Sequence, residues 1–124
     1  MTQEDKQLLL KDLCARLPYG VKVHITNEWF YDKIEPYDRR LDCDVIKSIK
    51  ENRYTVKPYL RPLSSMTDEE RGISEQIYKD GGFWAHFDWL NENHFDYRID
   101  PSTGKTLITS NLALEAPEGM YKTS

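Results

Sequence analysis

Residues 9–25 read LLKDLCARLPYGVKVHI, and within them the apolar pattern changes from helical spacing to strand spacing. Leucines recur every four residues up to Leu17, and Cys14 falls on the same apolar face, which predicts a helix that buries this thiol. Pro18 disfavours a helical conformation at the residue before it, so the helix is expected to end there. Over residues 21–26 apolar and polar side chains alternate, which predicts a half-buried strand.

The helix is predicted to begin close to the N-terminus. Thr2 can accept a hydrogen bond from a free backbone amide of the first turn. Glu4 and Asp5 suit the positive end of the helix dipole. An N-terminal helix therefore leads directly into the first strand.

The segments that follow predict a cluster of short strands. Residues 27–40 are rich in aromatic and charged side chains and are interpreted as a loop or an irregular edge strand. Apolar side chains alternate with aspartates over residues 41–45, which predicts a second strand. The competing interpretation is a short helix over residues 45–50, whose apolar residues also match a 3.6-residue period. A third strand is predicted over residues 54–56 and is expected to end at Pro58.

Two further helices are predicted in the second half of the chain. Thr67 and Glu70 have the spacing of a capping box, which starts a helix, and Gly81-Gly82 is expected to end it. Residues 83–93 are interpreted as another helix. The side chains expected to face the core from this region are Ile73, Ile77, Trp84, Phe87, Leu90 and Phe95.

The C-terminal part predicts a turn followed by a small strand. Residues 100–104 read DPSTG, a composition typical of a tight turn, and a short strand is expected over residues 105–109. Residues 117–124 are expected to form a loose tail. Strands and helices are segregated along the chain, which indicates an α+β fold. We expect a single domain over residues 1–124, with a small antiparallel sheet or a partly open barrel covered by the N-terminal helix and two later helices.

The composition is typical of a small globular protein. Of the 124 residues, 39% are hydrophobic and 31% are charged, and a chain of this length has room for one core. The longest apolar run is Leu8-Leu9-Leu10, far shorter than the roughly 20 residues that span a bilayer. The N-terminus is acidic where a secretory signal would be basic, and two cysteines do not make a disulfide framework. These features predict a cytoplasmic protein with reduced, partly buried thiols and no membrane contact.

Candidate reactive groups are few. The tripeptide His-Phe-Asp occurs at residues 86–88 and again at 94–96, and imidazole with carboxylate is a ligand set that metal ions accept. On a helix, however, His86 and Asp88 point about 200° apart and cannot share an ion. Neither cysteine lies in a setting typical of a nucleophile. We therefore expect no metal, no cofactor and no catalytic residues, and a non-enzymatic binding protein is favoured over an enzyme.

A basic and aromatic segment is the first candidate binding site. Residues 47–61 carry five cations against Glu51 alone, although the whole chain has a net charge of −4. Cations interleaved with aromatic rings suit phosphates and stacked bases. The alternative is a solvated face whose apolar neighbours belong to the core. The candidate residues are Lys47, Lys50, Arg53, Lys57, Tyr59 and Arg61.

The second candidate lies in the aromatic sequence Trp29-Phe30-Tyr31. If exposed, Trp29 and Tyr31 would form a contact patch for a protein or a ligand. If folded inward, they belong to the core, and this second interpretation is the one we favour.

Four blocks of the sequence resemble a known group of proteins. They are LLLKDLCARLPYGV at residues 8–21, VKPYLRPLSSMT at 56–67, DWLN with HFDYR within 88–98, and LALEAP at 112–117. These blocks resemble short proteins without an established activity from gut anaerobic bacteria and their prophages and phages. The resemblance implies a mobile-element setting and assigns no role to any residue. Residues 99–111 depart from the pattern of that group, so the DPSTG turn is interpreted as an insertion.

Three functions are compatible with these features. The leading hypothesis is a non-enzymatic accessory protein of a phage or mobile element that binds a host or phage macromolecule, with a protein partner favoured. Interference with a host enzyme or a defence system would follow from that setting. One alternative is a nucleic-acid-binding module that uses residues 47–61. The other is a small-ligand-binding protein or an enzyme, which requires a concave pocket with convergent polar groups.

Overall fold

The computed structural model describes residues 2–27 and 35–121. Within these ranges none of the helices is long and apolar enough to cross a membrane. The helices are α1 (Gln3–Arg16), α2 (Cys43–Lys50) and α3 (Asp68–Glu92), and the strands are β1 (Lys22–Thr26), β2 (Tyr37–Arg40), β3 (Thr55–Pro62), β4 (Phe95–Asp96) and β5 (Leu114–Glu115).

The strands form one mixed sheet that does not close into a barrel. Their order is β2-β1-β3-β4, and β5 also pairs with β3. β1 is antiparallel to both β2 and β3, whereas the short strands β4 and β5 run parallel to β3. Parallel neighbours need a crossover connection, and α3 supplies the one between β3 and β4. The predicted α+β class is confirmed.

The core joins one face of the sheet to α1 and α2. Burial alternates along β1, where Val23 and Ile25 are buried between partly exposed or exposed neighbours, as the sequence pattern predicts. The same alternation in β3 buries every second residue. The buried hydrophobic cluster contains Leu9, Leu13, Val21, Val23, Ile25, Leu41, Val45, Ile46, Ile49, Val56, Leu60, Leu107, Leu112 and Ala113.

Helix α1 begins at the predicted cap Thr2, which the structure shows to form a capping box with Asp5, but the buried face of the helix differs from the expected one. Cys14 is exposed, so the predicted burial of this thiol is wrong. The helix instead buries Asp12 and Arg16, each with 0% of its surface exposed. The two charges are tolerated there because they pair: Arg16 Nε donates to Asp12 at 2.8 Å, and Arg16 Nη2 donates to the carbonyl of Phe95 at 2.6 Å.

Residues 41–45 do not form the predicted strand, and the competing helix over residues 45–50 is confirmed as part of α2. The carboxylate of Asp42 accepts a hydrogen bond from the amide of Val45 at 2.9 Å and so caps the helix. Cys43, the first residue of the helix, is exposed. A helix is favoured because one face then buries three apolar side chains: Val45, Ile46 and Ile49.

The third strand is longer than predicted and contains two prolines. β3 continues past Pro58, which lies opposite Val23 in the antiparallel ladder. In such a ladder only alternate pairs exchange hydrogen bonds, so a residue without an N–H can occupy a position that donates nothing to its partner. The strand ends at Pro62, next to the short helical turn Leu63–Ser65.

The predicted strand over residues 105–109 is wrong, whereas the turn before it is confirmed. The amide of Gly104 donates to the carbonyl of Asp100 at 2.8 Å, which closes the turn. The buried carboxylate of Asp96 then accepts the amides of Leu107 and Ile108 at 3.2 and 3.0 Å. Because these two amides donate to a side chain of β4, they are not available for pairing with another strand. Leu107 is buried in the core as part of a turn.

The last described residue, Tyr121, is held against the sheet, although the sequence predicts a loose tail over residues 117–124. The ring of Tyr121 stacks on His94 with centroids 3.8 Å apart, and its hydroxyl donates to the carbonyl of Tyr59 at 2.7 Å. The hydroxyl also accepts the amide of Lys22 at 2.9 Å. Tyr121 therefore fastens the end of the described chain across β1 and β3.

Candidate interaction surface

Helix α3 is bent at Gly82, and this bend decides which side chains reach solvent. The predicted capping box is present, since Thr67 accepts the amide of Glu70 and Glu70 accepts the amide of Thr67, both at 3.1 Å. Gly82 has φ 76° and ψ −162°, so two helical segments meet there at an angle. Across the bend, the hydroxyl of Ser74 lies 2.6 Å from Nε2 of His86, which joins the two segments.

The apolar residues of α3 lie mostly outside the core, contrary to the sequence prediction. Ile73 is 44% exposed and Trp84 is 78% exposed, while Ile77 and Phe87 are partly exposed. Only Leu90 is buried as expected, together with Phe95 in β4 after the helix. The prediction fails because no other described element covers the outer side of the bent helix.

The exposed rings form a continuous aromatic surface. Phe83 lies edge-on to Phe87 with ring centroids 4.4 Å apart, and Trp84 is 5.8 Å from Phe83. Phe87 in turn contacts the ring of Tyr97 at 5.0 Å. Tyr78, which lies in the helical segment before the bend and is 54% exposed, packs on His86 with ring centroids 5.8 Å apart. We refer to Phe83, Trp84 and Phe87 as the aromatic surface.

Helix α3 is strongly acidic. Over Asp68–Glu92, seven carboxylates stand against Arg71 and Lys79, a net charge of −5, whereas the whole chain carries −4. Asp88 lies four residues after Trp84 in the same helical segment, so an exposed carboxylate lies beside the indole on one face. The helix therefore presents an apolar patch with one exposed carboxylate, Asp88, beside it.

The sequence-predicted basic segment does not converge on one site. Lys47 and Lys50 are exposed on α2, and Arg53 is exposed in the turn after it, 3.8 Å from the carboxylate of Glu51. Lys57 lies on β3 and donates to the side-chain carbonyl of Asn111 at 3.1 Å. Of these residues, the structure brings together Arg53 and Lys57, which line the same cavity.

Arg61 is held in a bidentate ion pair. Its Nη1 and Nη2 atoms donate to the two carboxylate oxygens of Glu70 at 2.8 and 2.6 Å, and its guanidinium lies 4.2 Å above the ring of Phe95. Hydrogen bonding from Arg61 lowers the pKa of Glu70 to about 2. The ion pair links α3 to β3. It occupies the guanidinium N–H groups that a phosphate would need for bidentate binding.

Tyr59 belongs to a polar cluster that the sequence did not reveal. Its hydroxyl donates to Asp38 at 2.8 Å, and the same carboxylate oxygen lies 2.7 Å from Nδ1 of His24. These residues come from three neighbouring strands, β3, β2 and β1. Hydrogen bonds from His24 and Tyr59 lower the pKa of Asp38, while burial and the bond to Asp38 raise the pKa of Tyr59 to about 12. The sequence does not specify the strand register, and this register makes His24 and Asp38 direct cross-strand partners.

Four further residues are candidates from the sequence: Trp29, Tyr31, His86 and His94. Trp29 and Tyr31 lie outside the described residues. His86 and His94, the histidines of the two His-Phe-Asp tripeptides, contact Ser74 and Tyr121 respectively. Across residues 2–27 and 35–121, no group of three or more His, Cys, Asp and Glu side chains is arranged to hold a metal ion.

Comparison of the chain with protein-family models, with curated proteins and with solved structures finds no match. The assignment of a function therefore rests on the geometry above.

Proposed function

We propose that this chain is a non-enzymatic protein-binding protein whose aromatic surface on α3 docks onto a basic protein partner. The observation that carries the proposal is the 78% exposure of Trp84 within a cluster of aromatic rings. Exposed contiguous apolar patches mark interaction sites, and tryptophan and tyrosine are the residue types enriched at the centres of interfaces.

The carboxylate of Asp88 beside the patch and the net negative charge of α3 support a basic partner. A lysine or arginine of the partner could lie on the indole of Trp84 and pair with the carboxylate of Asp88 one turn away. Opposite charges around an interface speed up association and exclude partners of the wrong sign. Nucleic acid would meet a net charge of −5 on this helix, so we favour a protein.

The biological setting is part of the same proposal. The sequence blocks that resemble proteins of gut anaerobes and their phages suggest an accessory protein of a phage or mobile element that acts in the cytoplasm of its host. Docking onto a basic surface of a host enzyme or defence protein would interfere with that protein by covering it.

The test is affinity purification from host lysate with nuclease present, followed by mass spectrometry. Three variants are compared with the wild type: Trp84→Ala, Asp88→Lys, and Ile99→Ala as a control. Ile99 is 58% exposed but lies outside α3, so its truncation removes a similar exposed apolar side chain elsewhere. The expected result is one stoichiometric protein that is retained by Ile99→Ala and lost with the two α3 variants.

Other outcomes would overturn the proposal. Loss of every partner on nuclease treatment would indicate nucleic acid binding. Equal recovery with Trp84→Ala and wild type would show that the partner binds elsewhere. Concentration-dependent dimerisation in sedimentation velocity, abolished by Trp84→Ala, would show that the surface binds a second copy of the chain.

A further inference from the structure

We propose that a cavity beside the start of β3 binds a small phosphate monoester, with its phosphate held between Arg53 and Lys57. The cavity has a volume of about 630 Å³, within the range of small-molecule sites. It shares no residue with the aromatic surface, so this inference is independent of the function proposed above.

Three separate parts of the chain line the cavity: α1, residues 52–57 and residues 110–112. Its apolar lining consists of side chains that also belong to the core, Leu9, Val56 and Leu112. The polar residues Thr55, Ser110 and Asn111 also line it. An apolar base with several neutral polar groups suits a ligand that has a compact carbon skeleton and hydroxyl groups.

Two cations give the cavity its preference for an anion. The side chain of Arg53 is 65% exposed, and its 3.8 Å distance to Glu51 is too long for a hydrogen bond, so the guanidinium can turn to a ligand. Lys57 donates to Asn111, and an ammonium group has three donors, so this bond does not use all of them. A guanidinium fork together with an ammonium point charge suits a phosphate group.

One carboxylate, that of Asp5, also lines the cavity and opposes an anion, but the two cations outnumber it. Asp5 accepts the backbone amide of Thr2 at 3.3 Å in the capping box of α1. With Arg53 and Lys57 on the other side, the lining carries a net charge of +1. The volume far exceeds that of a phosphate ion, so the organic part of the ligand would occupy the rest.

The test is a titration of the ¹⁵N-labelled full chain with ribose 5-phosphate, in which the backbone amide chemical shifts report binding. The expected result is saturable binding, with shifts concentrated at residues 52–57 and 110–112. Arg53→Gln and Lys57→Gln should each weaken binding roughly tenfold, because each removes a charge-assisted hydrogen bond. Lys105→Gln, which removes an exposed cation outside the cavity, should bind like the wild type.

Each alternative result contradicts the proposal. Absence of saturation at millimolar ligand, or wild-type affinity in both cavity variants, would show that the cavity is not a phosphate site. An equal loss of affinity in Lys105→Gln would indicate general charge attraction. Inorganic phosphate binding as tightly as ribose 5-phosphate would show that the cavity does not hold the organic part. The spectra also report folding, since the dispersed shifts of an intact core must be present in every variant.

Discussion

The hydroxyl of Ser74 lies 2.6 Å from Nε2 of His86, and this contact joins the two segments of α3 across the bend at Gly82. The bend places Trp84 and its neighbouring rings on the outside of the molecule instead of against the sheet. The proposed docking surface therefore depends on the backbone conformation of one glycine.

Substitution at Gly82 should destabilise the protein, whereas substitution at Gly72 should stabilise it. The φ and ψ angles of Gly82 fall in a region that is essentially restricted to glycine, so Gly82→Ala should lower the free energy of unfolding by about 1–3 kcal/mol. Gly72 is helical, and a Cβ there meets nothing within 4 Å, so Gly72→Ala should raise it by about 0.5–1 kcal/mol. Urea denaturation of both variants measures the difference, and an unchanged or raised stability in Gly82→Ala would contradict the assigned bend.

Truncation of Trp84 should leave stability almost unchanged, in contrast to truncation of Leu90 in the same helical segment. Trp84→Ala removes a largely exposed side chain, and surface changes are usually within about 0.5 kcal/mol. Leu90 is 6% exposed, so Leu90→Ala should cost about 2–5 kcal/mol. Thermal unfolding of the two variants tests the prediction. A large loss of stability in Trp84→Ala would place the indole in the core and remove the basis for the docking surface.

Stability should decrease as the pH falls from about 6.5 to 4, and His94 is the expected cause. Burial, reinforced by the charges of Arg16 and Arg61, lowers the pKa of His94 to about 4. In this pH range the unfolded chain binds a proton at His94 while the folded protein does not, so acid favours unfolding. A shift of this size corresponds to roughly 3 kcal/mol as an upper bound.

The variant His94→Asn isolates this contribution. Asparagine tolerates the positive φ of 62° at this position but does not titrate, so the slope of stability against pH should flatten between 6.5 and 4. Glu70, whose pKa is lowered to about 2, gives a separate loss of stability below pH 4.5 that both proteins should share. An unchanged slope above pH 4.5 in His94→Asn would assign the dependence to other groups.

Replacing one member of the buried Asp12–Arg16 pair should destabilise the protein strongly, and replacing both members should destabilise it less. Among the described residues, Arg16→Met leaves the buried carboxylate of Asp12 with Arg98, whose Nε lies 3.2 Å away, as its charged partner. The expected loss is about 3–5 kcal/mol. The double variant Asp12→Leu/Arg16→Met should lose less than the sum of the single variants, because neither charge is then left without the other. Additive losses in a double-mutant cycle would refute this coupling.

The Asp38–Tyr59 hydrogen bond can be tested by titration of the phenol. Asp38→Asn removes a negative charge beside the hydroxyl, so the pKa of Tyr59 should fall from about 12 towards its ordinary value. Tyr121, whose pKa is also raised to about 12, is held mainly by burial and should stay there. NMR of ring-labelled tyrosines distinguishes the two residues, and an unchanged Tyr59 pKa would show that the cluster does not form.

Part of the candidate chemistry was visible in the sequence, and part needed distant partners. The enrichment of cations in residues 47–61 drew attention to Arg53 and Lys57, but it did not show that these two residues line one cavity with residues 110–112. The pairing of Arg61 with Glu70 also went unseen, because it requires the chain to turn back between β3 and α3. Contacts of this kind depend on tertiary placement, which residue type and spacing do not specify.

The sequence by itself determined the local elements whose causes lie within one turn of the chain: the cap at Thr2, the capping box at Thr67, the end of α1 near Pro18, and the alternation in β1. Only the tertiary structure decided which apolar faces are covered. Hydrogen bonds at a helix end act over three or four residues, whereas burial depends on whether another element lies opposite. Trp84 and Leu90 lie in the same helical segment and both suit a core, but only Leu90 packs beneath the helix.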